Sequence, residues 1–177
     1  MGYGGLVLLT AAGAFWMDLR WAKIKNGWIV LCLAAALISR LAEGGPAGLA
    51  QGLAGAFMAL LLTGWLFAFR MLGAGDIKLL AVLGLFMGPG RLLTCLLYTF
   101  AFGAVQAAWI LISEGLWRER FQYLLDYIQG EVSRYRAGSS AGYRPLPYRR
   151  GSVERPENFH FSLPILLSVI LYLGGVY

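Results

Sequence analysis

Two carboxylates stand apart in a chain that has few ionisable groups: Asp18, at the end of the first apolar run, and Asp76, in Gly73-Ala74-Gly75-Asp76. An unpaired carboxylate buried in hydrocarbon costs about 2.5–3.5 kcal/mol even on lenient insertion scales, so such a residue is read first as a functional group. Two carboxylates sharing one proton can hydrolyse a peptide bond without a metal or a Ser or Cys nucleophile. The ionised one takes a proton from water while the protonated one hydrogen-bonds the carbonyl. Like charges held a few ångströms apart cannot both ionise, so one pair supplies base and acid at the same pH. Gly73 and Gly75 suit such a site, because a backbone without side chains admits close approach of a substrate and tolerates an unwound helix end.

Other catalytic equipment is scarce. His160 is the only histidine, with no matching Cys or Ser motif beside it, and is read as structural or interfacial. Cys32 and Cys95 have no neighbour at metal-ligand spacing, so they are read as small buried apolar residues. Neither a metal nor a cofactor is expected.

The elements that must hold the aspartates are apolar helices. Residues of the AVILMFWYC set make up 59% of the 177 and charged residues 14%, and the mean hydropathy is +0.65. That is well beyond the roughly 45–50% apolar share of soluble domains, and it predicts an all-α polytopic membrane protein of one domain. Apolar runs near residues 2–17, 27–42, 47–69, 71–90, 92–113 and 159–177 predict about six transmembrane helices, against a requirement of roughly 17–25 residues each. With an outside N-terminus, 13 of the 15 Lys and Arg residues fall on the inner side, leaving Arg40 and Arg91 outside. The +6 net charge is then a matter of topology, with no need for nucleic acid, and both aspartates face the cytoplasm.

Between residues 114 and 158 the chain leaves the membrane. Leu116, Trp117, Phe121, Leu124, Leu125 and Ile128 recur at helical spacing and predict an amphipathic interfacial helix. A Gly-, Ser-, Arg- and Pro-rich cytoplasmic loop follows. Ala12-Gly13-Ala14 has the form of a signal-peptide cleavage site, but no Lys or Arg precedes the apolar run, which argues against cleavage. Gly48 with Gly52, and Gly84 with Gly88, have the spacing of close helix packing. Gln51 and Thr63 are expected to hydrogen-bond across helices, and the six tryptophans, Trp28 among them, to anchor at the interfaces.

The string GAGDIKLLAVLGLFMG, residues 73–88, resembles the GxGD[VI]KL signature of the type IV prepilin and archaeal preflagellin peptidases. Asp18-Leu19-Arg20-Trp21-Ala22-Lys23-Ile24-Lys25-Asn26 is similar to that family's first-aspartate motif, D-x-R-x-x-x-I-P-N, with Lys25 in place of the proline. The resemblance implies an aspartic endopeptidase with Asp18 and Asp76 as the catalytic pair. It would remove a short basic leader from prepilin-like proteins at the cytoplasmic face of the inner membrane. Without a CxxC pair the chain looks like the minimal type found with tight-adherence and Flp-type pili, and N-methylation of the product is not supported. Lys78 or Lys25 would pair with an acidic residue shortly after the cut. Two other classes stay open: a proton-coupled transporter or channel relaying ions through the aspartates, and a catalytically silent pilus-assembly partner.

Overall fold

The computed structural model describes residues 3–68, 72–113 and 160–176, and among them the only regular elements are helices. They are α1 (Gly4–Trp21), α2 (Asn26–Ala68), α3 (Ala74–Met87), α4 (Pro89–Ser113) and α5 (Ser162–Leu173). The all-α expectation holds. The expected amphipathic helix and loop at 114–158 lie outside the described residues. By their contacts, residues 1–105 and 160–177 form one unit and residues 106–159 another. In the second, residues 106–113 are described, the end of α4, with Trp109 and Ile112 exposed.

The two segments read at 27–42 and 47–69 are both present within α2, on either side of Gly45 and Pro46. Gly45 has φ 55° and ψ −150°, a conformation open to glycine and strained for L side chains, and the following proline cannot donate to a continuing helix. A Cβ on Gly48 would lie 2.9 Å from the Arg40 carbonyl. Eight residues of straight helix would span about 12 Å, so the chain folds back here.

The six membrane crossings read from the sequence are not shown among the described residues. Among the described residues, α2 and α4 are the helices long and apolar enough to span, while α3 has 14 residues and α5 has 12. Both fall short of the roughly 17 residues a span needs. In α2 and α4 only 22% of the most apolar window is buried, unlike a soluble core helix. Val30, Leu31, Ile38, Phe57, Leu61, Leu97 and Val105 are exposed on them, which is consistent with a membrane protein.

The helix at the centre is α3. Leu79, Leu80, Leu83, Leu85 and Phe86 have no exposed surface. The second half of α2 lies against it backbone to backbone: a Cβ on Gly84 would fall 2.6 Å from the Gly55 carbonyl oxygen, and one on Gly52 would fall 2.7 Å from that of Leu85. Of the glycines picked by spacing, Gly52, Gly84 and Gly88 lie at this contact; Gly48 serves the α2 turn, and Gly55 was not anticipated. Arg40 caps the far end of α3 by donating from Nε to the Leu85 carbonyl at 3.0 Å, where a cation also meets the negative end of the helix dipole.

On the other side, α1 runs antiparallel to α5, with Gly4 against Leu173 at one end and Asp18 against Ser162 at the other. Ser168 joins α5 to α4 by donating to the Cys95 carbonyl at 2.8 Å. Cys32 and Cys95 are buried, as expected. Three polar expectations are corrected. Thr63 donates to Ala59 of its own helix at 2.7 Å rather than across helices, and Gln51 is exposed. Trp28 packs inward over Gly13 and donates to the Thr10 carbonyl, so it is a packing residue between α1 and α2.

Candidate active site

Asp18 sits in the last turn of α1. The helix ends where Ala22 takes a left-handed conformation (φ 48°, ψ 29°) and its N–H returns to the Asp18 carbonyl at 2.8 Å. That turn sends Ile24, Lys25 and Asn26 towards α3. The Asp18 carboxylate meets the start of α5: Ser162 Oγ donates to Oδ2 at 2.6 Å, and His160 Nδ1 lies 3.2 Å from the same oxygen.

Asp76 is on the first turn of α3, outside both helices of membrane-spanning length. The N-terminal end of a helix favours a negative charge, and a backbone hydrogen bond from Gly73 favours it too. Burial outweighs them and, together with the nearby Asp18 charge, pushes the Asp76 carboxyl up from 3.8 to about 6. Two carboxylates from different helices thus sense each other at one end of the bundle.

The segments carrying the aspartates dock through their flanking residues as well. A Cβ on Gly75 would lie 3.4 Å from Ile24 Cβ, and Lys78 Nζ donates to Asn26 Oδ1 at 3.1 Å. Gly73 faces Asp76 itself: a Cβ there would stand 3.1 Å from Asp76 Oδ2. The space at both glycines is therefore bounded by protein, by Asp76 at Gly73 and by Ile24 at Gly75. Lys25 is exposed, with its ammonium 4.2 Å from the centre of the Trp21 ring, and Arg20 lies over the same ring. Among the described residues no three His, Cys, Asp or Glu side chains are grouped to hold a metal ion.

His160, read from the sequence as structural or interfacial, is brought to 3.2 Å from Asp18. Ser162 was not singled out at all. It is 144 residues from Asp18 in sequence, and a serine at the mouth of an apolar helix carries no pattern that would mark it.

Apolar helices that bring two carboxylates near enough for the charge of one to raise the other define an all-helical bundle with a candidate site at one end. The family model of type IV leader peptidases matches residues 1–108, which include both aspartates and every residue linking them, and the chain belongs to that family. His160 and Ser162 lie beyond the matched stretch. Comparison with curated proteins and with solved structures gave no match.

Proposed function

We propose that this protein is an aspartic endopeptidase of the cytoplasmic membrane that removes the short basic leader of prepilin-like precursors. The observation that carries the reading is the juxtaposition of Asp18 and Asp76, each within its own motif, with Asp76 raised to about 6 by burial and by Asp18. A pair of that kind holds one proton between two carboxyls near neutral pH, as acid and base catalysis on an amide requires. Arg20, Lys23, Lys25 and Lys78 belong to the segments around the pair. Their clustering supports a cytoplasmic position for the site, with the N-terminus outside.

Selection of substrate rests on the apolar helix that follows the leader and on small residues before the cut. Lys78 and Lys25 are the cations available to an acidic residue just after the cut. The absence of CxxC motifs from the sequence supports the minimal Flp-type subclass and cleavage without N-methylation.

The test is leader removal from a co-expressed prepilin in membranes, read by gel shift. Asp18→Asn and Asp76→Asn should each reduce processing below about a thousandth of wild type while still accumulating. Full processing by either variant overturns the aspartic assignment. A relay through the same residues would instead predict proton flux in proteoliposomes and intact precursor in the presence of wild-type protein.

A further inference from the structure

We propose that Ser162 and His160 are positioning residues that hold Asp18 as the base of the aspartate pair, leaving Asp76 as the acid. This rests on the aspartic reading above and goes beyond it, because the family motifs name two aspartates and do not distinguish them.

The asymmetry is geometric. Asp18 Oδ2 is met by Ser162 Oγ at the start of α5, which donates at 2.6 Å, and by His160 Nδ1, just before that helix, at 3.2 Å, which donates when Nδ1 carries the proton. An ionised carboxylate only accepts, so two donors on one oxygen match the anion, and a proton on that oxygen would have to displace one of them. Donation by Nδ1–H fixes the histidine tautomer when the ring is neutral and persists when it is charged. Ser162 is fully buried and opens a helix of 12 residues, whose positive end adds to the same preference. Both contacts fall on Oδ2, and in the proposed arrangement Oδ1 is the oxygen that meets water.

Asp76 has different surroundings. Among the described residues no side-chain donor reaches it, and burial and the Asp18 charge, which favour its protonated form, outweigh the Gly73 backbone hydrogen bond that favours the anion. The other charged groups of these segments do not undo the difference. Arg20 and Lys25 lie over Trp21, Lys78 is bonded to Asn26, and Lys23 is exposed.

The division of labour balances. Asp18 Oδ1 takes a proton from water as the water oxygen bonds to the peptide carbon, and the Asp76 proton passes to the carbonyl oxygen. The C–N bond then breaks with the Asp18 proton going to the leaving nitrogen. A hydroxyl proton returns to Asp76, leaving acid, amine and the starting pair.

The experiment uses the full chain in detergent. The probe is a synthetic precursor with a short basic leader ending in a small residue, followed by about 20 apolar residues with one acidic residue near the cut. Ser162→Ala should lower kcat about tenfold with KM within about twofold, and move the acidic limb of the pH profile up by about one unit, the alkaline limb staying in place. Ser162→Thr, which keeps the hydroxyl, should restore kcat to within about threefold. His160→Gln, at a partly exposed position, should move the same limb the same way by less, and it carries the test if Ser162→Ala does not accumulate.

A wild-type kcat and acidic limb in these variants, with Asp18→Asn and Asp76→Asn inactive, overturns the inference and leaves the peptidase standing. Movement of the alkaline limb instead overturns it by reversing the roles. Cleavage by an Asn variant fails the peptidase reading itself.

Discussion

The two sides of the bundle fix their aspartates by different physics. Behind Asp76 stands α3, buried along most of its length and pressed against α2 with glycine facing glycine, so that dense packing fixes the backbone that carries the carboxyl. Behind Asp18 stands α5, and what holds the carboxyl is a pair of hydrogen bonds at 2.6 and 3.2 Å. Packing is dense and non-directional, and the burial it brings favours the uncharged carboxyl. Hydrogen bonds are directional and select a charge state. A site that must keep two identical groups in two protonation states gains from having one of each.

The contrast can be broken most severely on the packed side. A Cβ on Gly84 would meet the backbone of Gly55 at 2.6 and 2.8 Å, and backbone cannot rotate away as a side chain can. Gly84→Val is expected to prevent accumulation of folded protein, a cost of at least about 3 kcal/mol from overpacking. Gly64→Val, at a position where nothing lies within 4 Å, should accumulate normally. The measurement is the monodisperse fraction after detergent extraction; equal yields would mean that α2 and α3 can separate without loss.

A smaller effect is expected at the glycines of the second motif. Gly73→Ala puts a methyl 3.1 Å from Asp76 Oδ2 and should lower cleavage about tenfold by displacing the carboxyl, whereas Gly75→Ala makes ordinary contact with Ile24 at 3.4 Å and should stay within about threefold. The reverse order would mean that the space at Gly75 belongs to the substrate.

The smallest effect sharpens the comparison through pH. Asp76 titrates near 6 in the folded protein against an ordinary 3.8. Its contribution to stability is therefore full below pH 3.8 and lost as pH rises through 6. Asp76→Asn, which carries no charge to desolvate, should melt a few degrees above wild type at pH 7.5, with the gap closing towards pH 4. A constant gap across that range would show that the asparagine acts through packing and not through charge.

The helices were legible from composition and apolar runs, and the break between the second and third runs coincides with Gly45, where glycine followed by proline has a local physical meaning. Both aspartates were legible because their motifs are local strings. The bonds joining those strings, Ile24 to Gly75 and Asn26 to Lys78, were not, since they depend on how α1 and α3 approach. Gly55 escaped for a related reason. Spacing within one helix finds grooves, but a groove is used only where another helix supplies a matching one, here Gly84. The shortness of α3 and α5 was hidden because apolar residues continue past the helix ends, and hydropathy does not register where the backbone stops being helical.

The burial of both cysteines makes the chain a convenient host for spectroscopic reporters. Cys95 has no exposed surface and Cys32 has 5%, so the native thiols are shielded from maleimides and spin-label reagents in the folded protein. A single cysteine added at an exposed site near either end of α1 would then react alone. Distances between such labels, and their access to impermeant reagents from each side of a vesicle, can be read without first removing native residues from the core.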